Sequence, residues 1–316
     1  MPCVCSEAVL LLETSGRSGR LVDKKTARKY TWGVMQHMNK PMKYILLLGI
    51  LISFSGTNLI AQSTSDSLKP KMKMVKEVIY KPENGELKSR ENLFDSNISS
   101  YMIFDKNEKV IENGQYERDG SLYEKTIYKR NEDGVAQKAM KKNSSDELKS
   151  YWTYEYDSND NMIAVKTYDS ENNLTNIQSN KYDENGNNIE MLLKSPGSEN
   201  GWKYVYKYNF DNKKIEQLRY KPDGSLKDRR TYSYDKDGNE NLQFKFNPDG
   251  SFMKFVSEYD KMDNLTVQNW FNEQDEQTHQ TSFEYVYDEN GNWISKRRSS
   301  NGELGMVWER QIEYYE

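Results

Sequence analysis

The chain has 316 residues, 30% of them charged and 35% hydrophobic, with a mean hydropathy of -1.00. Globular domains usually contain ~45–50% apolar residues, so this composition excludes a thick aliphatic core. Intrinsic disorder is also disfavoured, because 23 Tyr, 10 Phe and 6 Trp can bury large areas. A thin or hollow β-structure fits this balance best.

The chain begins with residues 1–37, which contain no repeat and resemble nothing that follows. We interpret this segment as an upstream artefact, with translation starting at Met38 or Met42, or alternatively as a true leader. It contains Cys3 and Cys5, the two cysteines of the chain. Two thiols without further ligands do not make a metal or redox site, so no cofactor is predicted.

Residues 38–61 have the pattern of a bacterial signal peptide. Lys40 and Lys43 precede an apolar run at 44–54, and Ala61 follows it as a small residue at a cleavage position. The run is much shorter than the roughly 20 residues that cross a bilayer. We expect cleavage after Ala61; a buried core helix is the alternative interpretation.

The mature chain is acidic. Residues 1–61 contain 8 Lys and Arg and 3 Asp and Glu, so 37 basic and 46 acidic residues remain, a net charge of -9. Nucleic acids and anionic membranes need a basic face, so neither partner is expected. We predict a secreted or periplasmic protein with no integral membrane segment after cleavage. Residues 62–74, which are rich in Ser, Thr, Lys and Pro, are expected to form a flexible N-terminal segment of the mature chain.

A phrase of the form Tyr-Asp-x-x-Gly-Asn recurs about every 26 residues. Self-similarity at such a period marks a repeat architecture. The residues before each Tyr alternate aromatic and polar, which predicts a half-buried strand. Asp-Gly and Asn-Gly pairs after it predict tight turns. The clear copies start at Tyr182, Tyr234 and Tyr287, and weaker ones at Phe104, Tyr128, Tyr156, Tyr208 and Tyr259.

Each repeat therefore reads as strand, turn, strand, turn. Chained over 75–316, the repeats predict an all-β fold, a repetitive antiparallel meander of roughly fifteen strands. Open sheets of that size twist, curl or close. We expect an elongated, curled or partly closed sheet.

The Tyr-Asp-x-x-Gly-Asn motifs at 182–187, 234–239 and 287–292 resemble YD repeats, the unit of RHS and teneurin-type proteins. The resemblance covers about 75–316. It implies a β-sheet shell or spiral, an exported or surface setting, and roles in carbohydrate binding or toxin encapsulation. The chain departs from the RHS pattern after the turn, where Asn187 and Asn239 follow the glycine in place of Gly-Arg-Leu.

The sequence offers little for catalysis or metal binding. His279 has no cysteine to pair with, and no Gly-x-Ser-x-Gly elbow is present. The motif at Asp235 offers oxygen atoms that Ca²⁺ favours, but turn chemistry explains its Asp, Asn and Gly equally well. We predict no catalytic residue and no metal ligand.

Tryptophans carry the binding hypothesis. The tyrosines of the alternating strands, such as Tyr206, Tyr208, Tyr232 and Tyr234, are expected to form the core of a thin sheet. Tryptophans that the repeat does not require can instead stack on sugar rings. The candidate ligand-binding residues are Trp270, Trp293, Trp202 and Trp308.

These observations predict a secreted, non-enzymatic binding or structural module whose ligand is a cell-envelope glycan. Two alternatives stay open. One is a protein-binding scaffold, such as an immunity or chaperone-like factor that recognises a cell-surface protein. The other is a glycoside hydrolase that uses a carboxylate pair.

Overall fold

The computed structural model describes residues 70–83, 85–90, 93–96 and 98–316. The predicted leader (1–37), the signal peptide (38–61) and most of the N-terminal segment 62–74 lie outside the described residues. The first strand begins at Met72, three residues before the start of the repeat domain predicted at 75.

Eighteen strands and one four-residue helix make up the regular secondary structure of the described part. In chain order the elements are β1 (Met72–Tyr80), α1 (Leu93–Ser96), β2 (Ser100–Phe104), β3 (Val110–Tyr116), β4 (Leu122–Arg130), β5 (Ala136–Asn143), β6 (Leu148–Tyr156), β7 (Met162–Asp169), β8 (Leu174–Tyr182), β9 (Asn188–Lys194), β10 (Trp202–Tyr208), β11 (Lys214–Tyr220), β12 (Leu226–Tyr234), β13 (Glu240–Phe246), β14 (Phe252–Tyr259), β15 (Leu265–Phe271), β16 (Gln277–Tyr287), β17 (Trp293–Ser300) and β18 (Glu303–Tyr314).

The strands form a closed ring. Each strand pairs antiparallel with the next one along the chain, and β1 pairs with both β2 and β18. The all-β antiparallel meander predicted from the repeat is confirmed. The prediction of an elongated, curled or partly closed sheet was wrong. β1 pairs with β18 from Met72↔Tyr314 to Tyr80↔Val307, so the sheet closes and has no free edge.

Cross-strand pairs divide the sheet into two continuous faces. Residues directly opposite each other in an antiparallel pair point to the same side. One face, called here the inner face, carries the alternating tyrosines, for example Tyr154, Tyr206, Tyr232 and Tyr285. The cross-strand pairs show that this face is continuous around the whole ring. It also continues across the closure, because Val75 lies opposite residues of both β18 and β2.

Burial identifies the tyrosine-bearing face as the concave one. Curvature crowds side chains on the concave side of a sheet and separates them on the convex side. Buried side chains of the inner face occur around the ring: Phe104, Ala139, Val165, Asn180, Asp228 and Tyr232. On the outer face the buried side chains cluster beside the β1–β2 connection: Val78, Tyr80, Ser295, Val307 and Glu309.

The pKa shifts agree with this assignment. On the inner face, burial raises the pKa of Tyr154 to about 12 and lowers the pKa of Lys214. On the outer face, the hydrogen bond from Lys181 is the main cause that lowers the pKa of Glu190. Desolvation is therefore the main cause of the shifts of these two inner-face groups, and ion pairing is the main cause for Glu190.

The ring is wide. Strands lie about 4.8 Å apart, so eighteen of them span about 86 Å measured across the strands. Barrels of this strand number are too wide for side chains to fill the interior. Consistent with this, inner-face residues such as Trp202, Trp270 and Trp308 keep intermediate exposure. The aromatic residues thus line a lumen instead of packing as a closed core.

The Asp of each Tyr-Asp phrase builds the turn that follows it. Asp183 Oδ1 accepts the backbone N–H groups of Asn185 and Asn187 at 3.0 and 2.8 Å. Asp235 makes the same two bonds, with Asp237 and Asn239, at 2.9 Å each. This local capping occupies the carboxylate oxygen that the calcium hypothesis needed. Among the described residues, no group of three His, Cys, Asp or Glu is arranged to hold a metal ion.

One weak copy of the repeat was placed two residues too early. β4 ends at Arg130, and Asn131 accepts the N–H of Val135 at 2.8 Å, as the Asp of the other turns does. Arg130 therefore takes the structural place of the repeat tyrosine, and Tyr128 lies one inner-face position before it. The steps from Phe104 to Arg130 and from Arg130 to Tyr156 are both 26 residues.

Gly186 needs its positive φ. Its φ is 79°, and φ is also positive at Gly238 and Gly291 (97° and 80°), which confirms the predicted turn glycines. The equivalent places of other turns hold Asp160 and Asn212, with φ of 61° and 57°.

We expect Gly186→Val to lower the free energy of unfolding by about 1–2 kcal/mol, because a β-branched residue is strained there. Gly186→Asn is the matched control and should cost much less. Urea denaturation of both variants measures the difference, and equal losses would contradict a conformational origin.

The β1–β2 connection packs on the outer face where the ring closes. Leu93 of α1 joins Val78, Tyr80 and Val307 in a buried apolar cluster. Arg90 from the same connection donates to the Glu309 carboxylate. No helix among the described residues is long and apolar enough to cross a bilayer.

Candidate functional site

All four candidate tryptophans lie on the inner face. Trp270 lies opposite Phe255 and His279 on the neighbouring strands, and Trp308 lies opposite Lys296. Trp202 is the first residue of β10, and Trp270 is the last residue but one of β15. Both therefore lie close to the same edge of the sheet. Trp293 begins β17 at the other edge. The fold therefore brings together only Trp293 and Trp308, which both contact Lys296, whereas Trp202 and Trp270 lie five strands apart.

Trp270 sits between two other rings. Its centroid is 5.3 Å from Phe255 and 5.0 Å from His279, both in edge-to-face arrangements. Its Nε1–H donates to Gln268 Oε1 at 3.0 Å. The imidazole Nε2 of His279 lies 3.3 Å from the Thr281 hydroxyl. The group is a half-buried apolar platform with amide and hydroxyl groups at its border, which is the chemistry that a sugar ring meets.

Trp293 and Trp308 share a cation-rich cluster on β17 and β18. The Nζ atom of Lys296 lies 4.3 Å from the Trp308 ring centroid and 5.2 Å from that of Trp293. The Arg310 guanidinium lies 3.4 Å from the Trp293 centroid, so it covers one face of that indole. Trp293 is therefore less available for direct stacking than the sequence predicts.

Trp202 borders a buried ion pair. The Arg219 guanidinium is 5.9 Å from the Trp202 ring centroid, and it donates to the Asp228 carboxylate on the next strand. Asp228 is 1% exposed. Arg230 Nε lies 3.9 Å from the other oxygen of the same carboxylate. One acid thus holds two arginines at the lumen surface.

The repeat tyrosines have a structural task. The hydroxyl of Tyr156 donates to the carbonyl of Ala136, Tyr208 to Asn188 and Tyr234 to Lys214, at 2.7–2.9 Å. Each bond ties the end of one strand to the start of the preceding one, 20 residues earlier. This pattern supports the expectation that the tyrosines at the repeat position hold the sheet together.

The inner face also carries basic residues that the sequence analysis did not select. The signal was available, because they have the same period-two phase as the aromatic residues that were selected. Residue type alone does not mark these side chains, because lysine and arginine are mostly exposed in folded proteins. The basic residues of the inner face include Arg130, Lys141, Lys214, Arg219, Arg230, Lys245, Lys296, Arg298 and Arg310, and its acidic residues include Glu77, Glu124, Asp228 and Glu240.

Comparisons with known proteins give only distant similarity. No protein-family model matches the chain, and no curated protein matches it. Among solved structures, a porin-like protein from Bacteroides uniformis is similar at 11% identity and a TM-score of 0.38, over 78% of this chain and 98% of that one. A porin-like protein from Bacteroides vulgatus matches at 11% identity and a TM-score of 0.21, over 78% and 99% of the two chains. The TcdB2-TccC3-Cdc42 structure matches at 13% identity and a TM-score of 0.17, over 67% of this chain and 17% of that one.

Proposed function

We propose that this chain is a non-enzymatic, exported barrel of YD-like repeats whose inner face binds glycan. The observation that carries the proposal is the shared location of Trp202, Trp270, Trp293 and Trp308 on one half-exposed concave face. Aromatic rings bordered by amides, hydroxyls and cations suit both the apolar face and the polar rim of a sugar.

We propose that the barrel works in water, in the periplasm or outside the cell. The segment 38–61 supports export. The outer face supports the aqueous setting, since Arg229, in the middle of β12, is ion-paired with Glu216 of the adjacent strand at 2.5 Å. A lysine or arginine on a lipid-facing strand costs about 2–4 kcal/mol near the bilayer centre.

Trp270 is the residue with which to test glycan binding. We expect Trp270→Ala to lower polysaccharide affinity at least tenfold, a loss of about 1.4 kcal/mol, with a small change in stability because the ring is only half-buried. Trp293→Ala should also lower affinity, and should cost more stability because Arg310 packs on the indole. Titration of both variants against an array of cell-envelope polysaccharides, followed by tryptophan fluorescence, measures the effect.

Tyr232→Ala is the matched control on the same face. Tyr232 is 8% exposed, so its loss should destabilise the fold by about 3 kcal/mol. Glycan affinity of the remaining folded protein should change less than in Trp270→Ala. If no polysaccharide in the array binds, or if both tryptophan variants unfold, the glycan proposal fails.

A protein-binding scaffold is the second candidate, and one specific observation favours it. The register shifts by one residue beside the turns at one edge of the ring, and the extra residues are Ile111, Ile163 and Ile215. These side chains are 36–38% exposed, and Phe210 in a turn at the same edge is fully exposed. Apolar side chains recurring around one rim suit a protein partner, which co-purification would reveal.

A further inference from the structure

The inner surface of β17 and β18 has more positive charge than it can compensate. Lys296 and Arg298 follow each other on the inner face of β17, and Arg310 lies on the adjacent strand β18. Glu77 on β1 is the nearby acid, and it already accepts a hydrogen bond from Arg310 Nε at 2.9 Å. Among the described residues, Arg310 is thus the only one of these three cations that is paired with a carboxylate.

Lys296 is the unpaired member of this group. Its ammonium is surrounded by rings, at 4.3 Å from Trp308, 5.2 Å from Trp293 and 5.9 Å from Phe283. Within the described residues no carboxylate lies at ion-pair distance from it. Burial lowers the pKa of Lys296, and the charges of Arg310 and Arg298 lower it further, against the attraction of Glu77. An ion held in this way is costly unless a ligand anion compensates it.

Arg298 is the accessible member. It is exposed although it faces the lumen. Its guanidinium can reach into the lumen without breaking a contact, and guanidinium groups match carboxylate and sulfate oxygens in a two-point geometry.

We propose that the inner surface of β17 and β18 binds a negatively charged saccharide, with its acidic substituent held by Lys296 and Arg298 and its sugar ring against Trp308. The inference rests on the proposed glycan function and specifies its ligand class. The shared chemistry is an anionic group on a sugar, whether a carboxylate or a sulfate ester. Although the mature chain is acidic overall, this patch is positively charged and lies inside a lumen wide enough for a polymer.

A polymer series on one backbone tests the ligand class. Neutral dextran, carboxymethyl-dextran and dextran sulfate differ in the anionic substituent, and single-stranded poly-dT supplies an anionic polymer that is not a saccharide. We expect at least tenfold tighter binding of one or both anionic dextrans than of neutral dextran. The Lys296→Gln/Arg298→Gln variant should lose that difference and bind the anionic dextrans no more tightly than neutral dextran. Its melting temperature should not fall, because two uncompensated charges are removed.

Lys203→Gln/Arg229→Gln is the matched control, since it removes the same two residue types from the outer face, where both are paired with acids. It should leave the anionic preference unchanged. Equal binding of neutral and anionic dextran, or an unchanged preference in Lys296→Gln/Arg298→Gln, would overturn the inference and leave the glycan proposal standing. If no saccharide binds, both the glycan proposal and this inference are wrong. If poly-dT binds as tightly as the anionic dextrans, the ligand class is not a saccharide.

Discussion

Lys76→Cys and Gln311→Cys, introduced together with Cys3→Ser and Cys5→Ser, are expected to form a disulfide in nearly all molecules under mild oxidation. Lys76 of β1 lies directly opposite Gln311 of β18, and both side chains point outward. Opposite residues of antiparallel strands have Cα separations of about 4.5–5.5 Å, within the range that a disulfide accepts. Faster migration on a non-reducing gel measures the cross-link.

The same bond should raise the free energy of unfolding. It closes a loop of more than 200 residues, for which the chain-entropy model gives about 5.5 kcal/mol as an upper value. Lys76→Cys combined with Lys203→Cys is the control, because β1 and β10 are not paired. An open or partly closed sheet would leave both double variants reduced, so equal failure to cross-link contradicts the closed ring.

Closure is the part of the fold that the sequence did not predict, for a physical reason. Strand and turn signals are local: aromatic alternation, then Asp or Asn, then a residue with positive φ. The pairing of β1 with β18 joins positions more than 200 residues apart, and repeats of constant period contain no signal for where a ring must stop. Strand number and stagger together fix whether a sheet closes, and neither is written in one repeat.

The sequence pattern also misplaced one repeat, in which the residue type at the repeat position changes but the local structure is kept. Arg130 occupies the place of the repeat tyrosine, and its guanidinium donates to the carbonyls of Val110 and Gly134 at 3.1 and 3.3 Å. A tyrosine hydroxyl makes a comparable main-chain bond in five other repeats, those of Tyr156, Tyr182, Tyr208, Tyr234 and Tyr259. An aromatic-based pattern finds Tyr128 instead, because it recognises residue type and not the bond that the position requires.

Part of the candidate site could be predicted from sequence. Trp202 is an inner-face residue because it lies six residues before the repeat tyrosine Tyr208 on the same strand, and even spacings place side chains on one face. What surrounds each tryptophan depends on which strand lies alongside. Lys296 meets Trp308 only because β17 and β18 pair in the observed register. Charge on the inner face is therefore a property of the assembled ring, and it differs in sign from the net charge of -4 of the whole chain.

Asp228→Asn should lower the free energy of unfolding by about 3 kcal/mol, which is a large loss for one polar residue on the inner face of the ring. Asp228 is 1% exposed, accepts a bond from Arg219 and lies 3.9 Å from Arg230. Removing the acid of a buried pair leaves the cations uncompensated, which typically costs 3–5 kcal/mol. We expect the lower end of this range of energies, because the Arg219 side chain is 27% exposed. Urea denaturation gives the value.

Two further variants separate charge compensation from packing at this site. Glu190→Gln removes an acid that also serves two cations, but on the outer face, where exposed pairs contribute about 0–1 kcal/mol. Arg219→Met in the Asp228→Asn background should recover part of the loss, because it removes one of the uncompensated cations. If Asp228→Asn costs no more than Glu190→Gln, water in the lumen already screens the arginines, and the inner face is as solvated as the outer one. A large loss with partial recovery instead shows that the concave side of the ring holds its charges at low dielectric, where an anionic ligand would be bound most strongly.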